Sequence, residues 1–426
     1  MAGLTAAYRL VCQGYRVTIV DHAPQLGSPL IGEDLTDISE AFIILGCHHA
    51  TQTLLQTLYA NGQQPLQRDS GVEFRRQDGS LIRYPHTWLP APLHTWISLL
   101  RFSGIPWSER WRLLSRLERI WEGEERLPAD LEQRTADEWL ASIGQSQHTR
   151  CDVWNPLAQW LTGNDLNTLS ADAFMASIRP LFLTACADSR ISIVQTSMYR
   201  CFVQPITQVL TEAGASILCQ HDAILLHYER DHISGIQLHD GTLLQADWYI
   251  AALPPRQLTP MLPERWLTRY AYFQQLAELT SSDSTIIRIQ ADQPCTTPRL
   301  VLLGNTAFHS VLATRAGTDR TNFSFVTTDT RFAQAQLSTD LETPIPGLLR
   351  STGLLRPGYT IGPIHRRTIP NAILSLRPGT KLHRPIQRSP IANLLVAGNW
   401  TDTGWPPNLE SAIVSGNRCA DAITLR

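Results

Sequence analysis

At 426 residues and 43% hydrophobic composition, the chain is long enough for two closely joined domains. Its 36 basic and 38 acidic residues leave a formal charge of −2, which gives no polyanion-binding footprint and argues against nucleic acid as a partner. Eight cysteines stand without a Cys-x-x-Cys pair and thirteen histidines without a His-Glu-x-x-His pattern, so buried thiols of a reducing compartment are expected, and no metal.

The opening Met1-Ala-Gly-Leu-Thr-Ala-Ala reads as the tail of a dinucleotide fingerprint, with Gly3 as its last glycine. A helix over Leu4 to Cys12 follows, ended by Gly14, and Arg16 to Asp21 reads as a strand. Asp21 closes that strand at the spacing where such folds hold a ribose hydroxyl; an ordinary strand-end turn acid is the plainer role. The fingerprint's first strand and first two glycines are not in the chain. Two expectations follow: a start that lies further upstream, or loss of dinucleotide binding. No signal peptide is expected, and no apolar run reaches the roughly 18–20 residues of a membrane span.

Ala41 to Leu45 predicts a short strand and Thr51 to Tyr59 a helix; His48 and His49, being neighbours, are expected to pack and not to share a metal. Val72 to Arg75 and Leu81 to Tyr84 flank Asp78-Gly79 and predict a hairpin. Residues 88–200 are mostly helical and crowded with Trp88, Trp96, Trp107, Trp111, Trp121, Trp139, Trp154 and Trp160. Leu113, Leu114, Leu117, Ile120 and Trp121 share a helical face, Thr135 to Glu138 forms a capping box, and Ser170 opens another helix. Pro92 to Phe102, with Ile105, Trp107, Arg110, Arg112 and Arg116, has the mix of an interfacial segment; a core helix with a solvated basic face is the alternative.

Residues 205–255 return to α/β: a helix from Pro205 to Ala213, strands at Ser216 to Cys219 and Ala223 to Tyr228, a hairpin turning at Asp240-Gly241, and a buried strand in Asp247 to Pro254. Strand-like runs at Thr285 to Ile289, Leu300 to Leu303 and Ser324 to Thr327 predict a second sheet. Leu394 to Ala397 then reads as a strand buried on both faces, followed by a polar turn and a helix opened by Pro406 and Pro407. Ala412, Ile413, Gly416 and Ala420 give that helix a small-residue face, and its N-terminus is suited to an anionic ligand. The predicted division is a discontinuous nucleotide domain (1–80, 205–262 and 389–426), a helical substrate or membrane-facing insertion (81–204), and a substrate-domain sheet (263–388).

Several segments carry a family resemblance: Leu45-Gly-Cys-His-His-Ala-Thr51, Leu89-Pro-Ala-Pro-Leu-His94, Thr135-Ala-Asp-Glu-Trp-Leu140, Trp154-Asn-Pro-Leu157 with Leu166-Asn-Thr168, Ala397-Gly-Asn-Trp-Thr-Asp-Thr-Gly404 and Glu410-Ser-Ala-Ile-Val-Ser-Gly416. Over nearly its whole length the chain resembles the hydroxysqualene dehydroxylases, or squalene-associated FAD-dependent desaturases, of the amine oxidase and phytoene desaturase superfamily. The resemblance implies an α/β fold: an FAD-binding Rossmann-like domain of glutathione reductase type, discontinuous and N-terminally truncated, with an interleaved α+β substrate domain.

The resemblance also implies an activity, the reductive removal of the hydroxyl of hydroxysqualene to give squalene on the route to hopanoids. Alternatives are a carotenoid or polyprenoid desaturase of phytoene desaturase type and a non-catalytic homologue. The implied partners are FAD, a C30 isoprenoid substrate, a membrane surface and other squalene-pathway enzymes; the implied location is cytoplasmic, peripheral on the inner membrane face.

Carried over by residue, Gly3 would lie near the FAD pyrophosphate, Asp21 at the adenosine ribose and Ala223 at the adenine end. Ala251 and Ala252 would line the nucleotide, and Gly398 and Asn399 the ribityl and pyrophosphate portion. Thr403, Gly404 and Asn408 would approach the isoalloxazine, and Asp402, the only acid in that turn, is the candidate catalytic acid, with turn capping as its plainer role. The sequence departs from the family at Asn399, where an Asp is usual, and at Leu26 to Pro29 and Ser39 to Phe42.

Overall fold

The structure is a computed structural model describing residues 1–27, 41–60, 62, 66–67, 71–76, 78–121, 130–328 and 344–425. Of the family departures, Ser28, Pro29, Ser39 and Glu40 lie outside the described residues, as do the side chains of Leu117, Ile120 and Trp121.

The two ends of the chain lie against each other. Helix Ala2–Cys12 packs on helix Leu409–Thr424, and they approach so closely that a Cβ on Gly416 would stand 2.4 Å from the Ala2 carbonyl oxygen and 3.1 Å from the Ala6 nitrogen. The small face predicted for the C-terminal helix is the face that is used: Ala412, Ile413 and Ala420 are buried in apolar clusters shared with the first helix. Gly3 in turn rests on the end of a strand, where a Cβ would meet that of Ala252 at 2.7 Å.

Below these helices lie two parallel strand pairs. Thr18–Asp21 runs beside Ser216–Cys219 in the register Asp21 to Cys219, and Tyr249–Ala251 runs beside Leu394–Val396 in the register Ala251 to Val396. Leu394, Leu395 and Val396 are all buried, as an apolar run covered on both faces requires. Gly14 takes φ +84° after the first helix, a left-handed turn that glycine adopts without a Cβ clash.

A seven-stranded sheet forms the second unit, in the order Ile361–Leu374, Ser281–Ala291, Arg320–Thr327, Ser310–Ala316, Arg299–Leu303, Val72–Arg75, Leu81–Arg83. The predicted hairpin around Asp78-Gly79 forms, but it joins this sheet, through parallel pairing of Val72–Arg75 with Arg299–Leu303. A division at residue 80 passes through that hairpin. Phe42–Leu45 pairs antiparallel with Ile191–Val194, a strand that the sequence pattern did not single out.

Helices Leu93–Arg101, Trp107–Trp121, Ala136–Ser142, Asn155–Thr162 and Ala171–Phe182 make the insertion. The capping box is present, with Glu138 N donating to Thr135 Oγ1 at 3.2 Å and Thr135 N to Glu138 Oε2 at 3.0 Å. Its tryptophans divide sharply. Trp139 and Trp154 are buried in the core, whereas Trp88, Trp107 and Trp111 are 86%, 61% and 63% exposed. No helix among the described residues is long and apolar enough to cross a membrane.

Candidate active site

The turn between strand Leu394–Val396 and helix Leu409–Thr424 is held by its own hydroxyls. Gly398 N donates to Ser415 Oγ at 3.1 Å, and Thr401 Oγ1 bonds Gly398 O at 2.7 Å and Ser415 Oγ at 2.9 Å. Thr403 Oγ1 and Ser411 Oγ are 2.7 Å apart, and Ser411 Oγ donates to Asn399 O at 3.0 Å. The helix begins at Leu409, with Asn408 as its cap accepting from Ser411 N at 2.9 Å. Pro406 and Pro407 therefore sit in the turn ahead of the cap and not in the first helical turn, because the Asn408 amide supplies a better terminus. Gly404 takes φ +84°, and nothing lies within 4 Å of the position its Cβ would occupy, so this stretch of backbone faces open space.

Arg384, which the sequence pattern did not mark, ties the turn together. Its Nε donates to Trp400 O at 3.2 Å, one Nη to Trp405 O at 2.9 Å, and the other to Asn399 O at 3.1 Å and Thr401 O at 2.6 Å. Burial lowers its pKa to about 10, opposed by Asp402 and Glu132 nearby. Asp402 Oδ1 accepts from Gly404 N at 3.2 Å, so its capping role is realised. The same carboxylate borders a cleft lined by Glu132, Asp172, Lys381, Arg384, Gly404 and Trp405 among others.

At the other end of the site, the first-turn N–H groups of Ala2, Gly3 and Leu4 have no acceptor among the described residues. The Met1 amine is buried, and burial holds it below its ordinary pKa against the opposing influence of Asp21. Asp21 Oδ1 accepts from Ala23 N at 3.0 Å, the turn-acid role, and Asp21 O accepts from His221 N at 3.1 Å, which brings the start of strand Ala223–Glu229 alongside. Predicted residues thus gather in two groups, Asp21 with Ala223 and Gly398 to Asn408. Between them Gly3 meets Ala252, and Ala251 pairs with Val396. Orphaned N–H donors at one end and an open glycine turn at the other fit an elongated dinucleotide, with phosphate held by backbone dipoles.

Glu410 has a role that its position in the first helical turn does not disclose. Its carboxylate, 2% exposed, accepts from Ala50 N at 2.8 Å, Thr51 N at 2.9 Å and Thr51 Oγ1 at 2.7 Å. It caps helix His49–Leu58 from another part of the chain. Just before that helix the two histidines part. His49 Nε2 turns out to Asp188 Oδ1 at 2.7 Å, while His48 is buried, its ring edge-on to Trp405 at 5.7 Å between centroids. Among the described residues no group of three or more His, Cys, Asp or Glu side chains is placed to hold a metal.

An apolar cavity lies in the insertion, walled by Phe74, Leu99, Phe102, Trp139, Trp154, Phe182 and their neighbours. Among the described residues Tyr84 and Thr95 are its only hydroxyl-bearing side chains, and no carboxylate, histidine, lysine, arginine or thiol lines it. Phe182 also packs in an apolar cluster with Leu45, Cys47, Leu181 and Trp405, so hydrophobic contact is continuous from the cavity wall to the glycine turn.

Comparison with known proteins agrees with this geometry. The family model for flavin containing amine oxidoreductases matches residues 1–424. A 15-cis-phytoene desaturase of Synechococcus elongatus is 24% identical over 372 residues, covering 82% of this chain and 77% of that protein. A zeta-carotene desaturase of Synechocystis sp. is 24% identical over 332 residues, covering 69% of this chain and 66% of that protein. Among solved structures, an oxidoreductase from Methanosarcina mazei superposes with a TM-score of 0.71 at 14% identity, over 98% of this chain and 97% of that one. Cyclohexylamine oxidase from Brevibacterium oxydans gives 0.67 at 16% identity, over 99% and 96%; both likenesses show the shared fold. With its ends joined over an open glycine turn and the family model spanning nearly its whole length, the chain belongs to the flavin-containing amine oxidoreductases and is an FAD-dependent oxidoreductase.

Proposed function

We propose that the chain oxidises a long polyprenoid hydrocarbon, as a carotenoid desaturase of phytoene desaturase type. The cavity carries this reading. Its walls are aliphatic and aromatic, and they offer a hydrocarbon chain close contact but no ionic anchor. The desaturase relatives support oxidation over the reductive dehydroxylation that the sequence resemblance suggested. FAD supplies the two-electron hydride acceptor. The chain's own residues exclude water, and Trp139 and Trp154 present aromatic rings to any positive charge that develops on the substrate.

In this reading the free N–H groups around Gly3 meet pyrophosphate, Asp21 the adenosine ribose and Ala223 the adenine end, with Ala251 and Ala252 along the nucleotide. Gly398 and Asn399 meet the ribityl and pyrophosphate portion, Thr403, Gly404 and Asn408 the isoalloxazine, and Asp402 serves as the acid–base group. The test is product analysis in lipid vesicles, with FAD-loaded protein given either 15-cis-phytoene and a quinone as electron acceptor or hydroxysqualene and a chemical reductant that reduces the flavin. Conjugated polyenes absorbing in the visible range are expected from phytoene. Squalene from hydroxysqualene, with phytoene untouched, would return the assignment to dehydroxylation.

A hydrocarbon substrate resides in a bilayer, and the exposed tryptophans supply a means of reaching it. Helices Leu93–Arg101 and Trp107–Trp121 line the cavity with Leu99 and Leu113 while exposing Leu93, Trp107 and Trp111, and the Arg110 guanidinium lies 5.4 Å from the Trp107 ring centre. We propose that this face rests on an anionic lipid surface, with aromatic rings in the interface and arginines at the phosphates. Replacing Trp88, Trp107 and Trp111 together with serine is expected to lower co-flotation with phosphatidylglycerol vesicles at least tenfold while leaving the unfolding midpoint unchanged. Equal flotation of the triple variant rejects the surface.

A further inference from the structure

His48 is 6% exposed, and its Nε2 has no hydrogen-bond partner among the described residues. Its Nδ1 accepts from Leu45 N at 3.5 Å. A ring nitrogen that accepts an amide hydrogen carries no proton of its own, so in the neutral imidazole the proton sits on Nε2 and makes it a donor. Burial, with His49 beside it, lowers its pKa to about 4, so the ring is neutral at ordinary pH. A buried N–H donor without an acceptor is costly, on the order of 1–3 kcal/mol, and natural interiors rarely keep one unless a water, an ion or a functional role accounts for it.

Position identifies the ligand class. The imidazole is edge-on to Trp405, next to the open turn at Gly404. Glu410, in the first turn of the C-terminal helix, grips Ala50 and Thr51 two and three residues beyond it. One helix therefore fixes both the glycine turn and the histidine. A polyprenoid hydrocarbon has no acceptor to offer, whereas the flavin ring has oxygen and nitrogen acceptors along one edge. Resting on the flavin-bound reading, we propose that His48 is a positioning residue for the flavin, donating its Nε2–H to an acceptor atom of the isoalloxazine.

The experiment compares His48→Phe, which keeps a ring and loses the donor, with His48→Gln, which retains a donor. Each is titrated with FAD and its bound-flavin absorption spectrum recorded beside that of the wild type. His48→Phe is expected to bind FAD about tenfold more weakly and to shift the flavin bands, while His48→Gln recovers most of both. Wild-type affinity and an unshifted spectrum in His48→Phe overturn the proposal and leave the flavin reading intact; a wild-type protein that takes up no FAD overturns both. Should a variant fail to fold, wild-type protein labelled with nitrogen-15 histidine decides. FAD addition is expected to move the His48 Nε2 resonance and protect its proton from solvent exchange, and an unmoved resonance overturns the assignment.

Discussion

Glu410→Ala is expected to destabilise the protein by about 3–5 kcal/mol and to strip it of FAD. The carboxylate meets three donors on Ala50 and Thr51 in a site closed to water. Alanine leaves two backbone N–H groups and a hydroxyl buried with nothing to accept them, and it removes the negative charge from a helix N-terminus. Glu410→Gln should fall between, because one amide oxygen still accepts while the NH2 group points its hydrogens at donors. Urea unfolding measures the effect, with an unchanged slope and a lowered midpoint as the expected result. An alanine variant as stable as the wild type would mean that the contact between the C-terminal helix and His49–Leu58 contributes little.

Arg384→Met comes second, with an expected cost of about 3 kcal/mol and loss of most bound flavin. Methionine keeps the apolar stem but leaves the carbonyls of Asn399, Trp400, Thr401 and Trp405 without their shared donor. It also removes the cation that faces Asp402 and Glu132. Lysine should rescue only in part, since a single ammonium cannot span four carbonyls arranged around a planar fork. The flavin-to-protein absorbance ratio of the purified variants reads this out. Full flavin content in Arg384→Met would falsify the claim that this guanidinium shapes the turn.

Local signals made much of the fold legible. The apolar run at Leu394 to Ala397, the small face around Gly416 and the capping box at Thr135 each declare themselves within a few residues, and each forms. What stayed hidden depends on partners distant in sequence. Nothing near Glu410 signals that it caps a helix beginning at His49, and nothing near Arg384 signals four carbonyls 15–21 residues ahead. The hairpin at Val72–Arg75 was visible, but its parallel partner Arg299–Leu303 was not. The tryptophans show the same limit. Composition placed them in one helical region, and only packing separates Trp139 and Trp154 in the cavity wall from Trp88, Trp107 and Trp111 in solvent.

The crossing of Ala2–Cys12 with Leu409–Thr424 has a consequence for biosynthesis. A ribosome releases the first of these helices hundreds of residues before the second exists, and closing so long a loop yields no stabilising contact until the end. Until then the apolar flank of the leading helix lacks its cover, a condition that invites chaperones and misassembly. A surface shared by both helices is therefore completed only after translation has passed Leu409–Thr424.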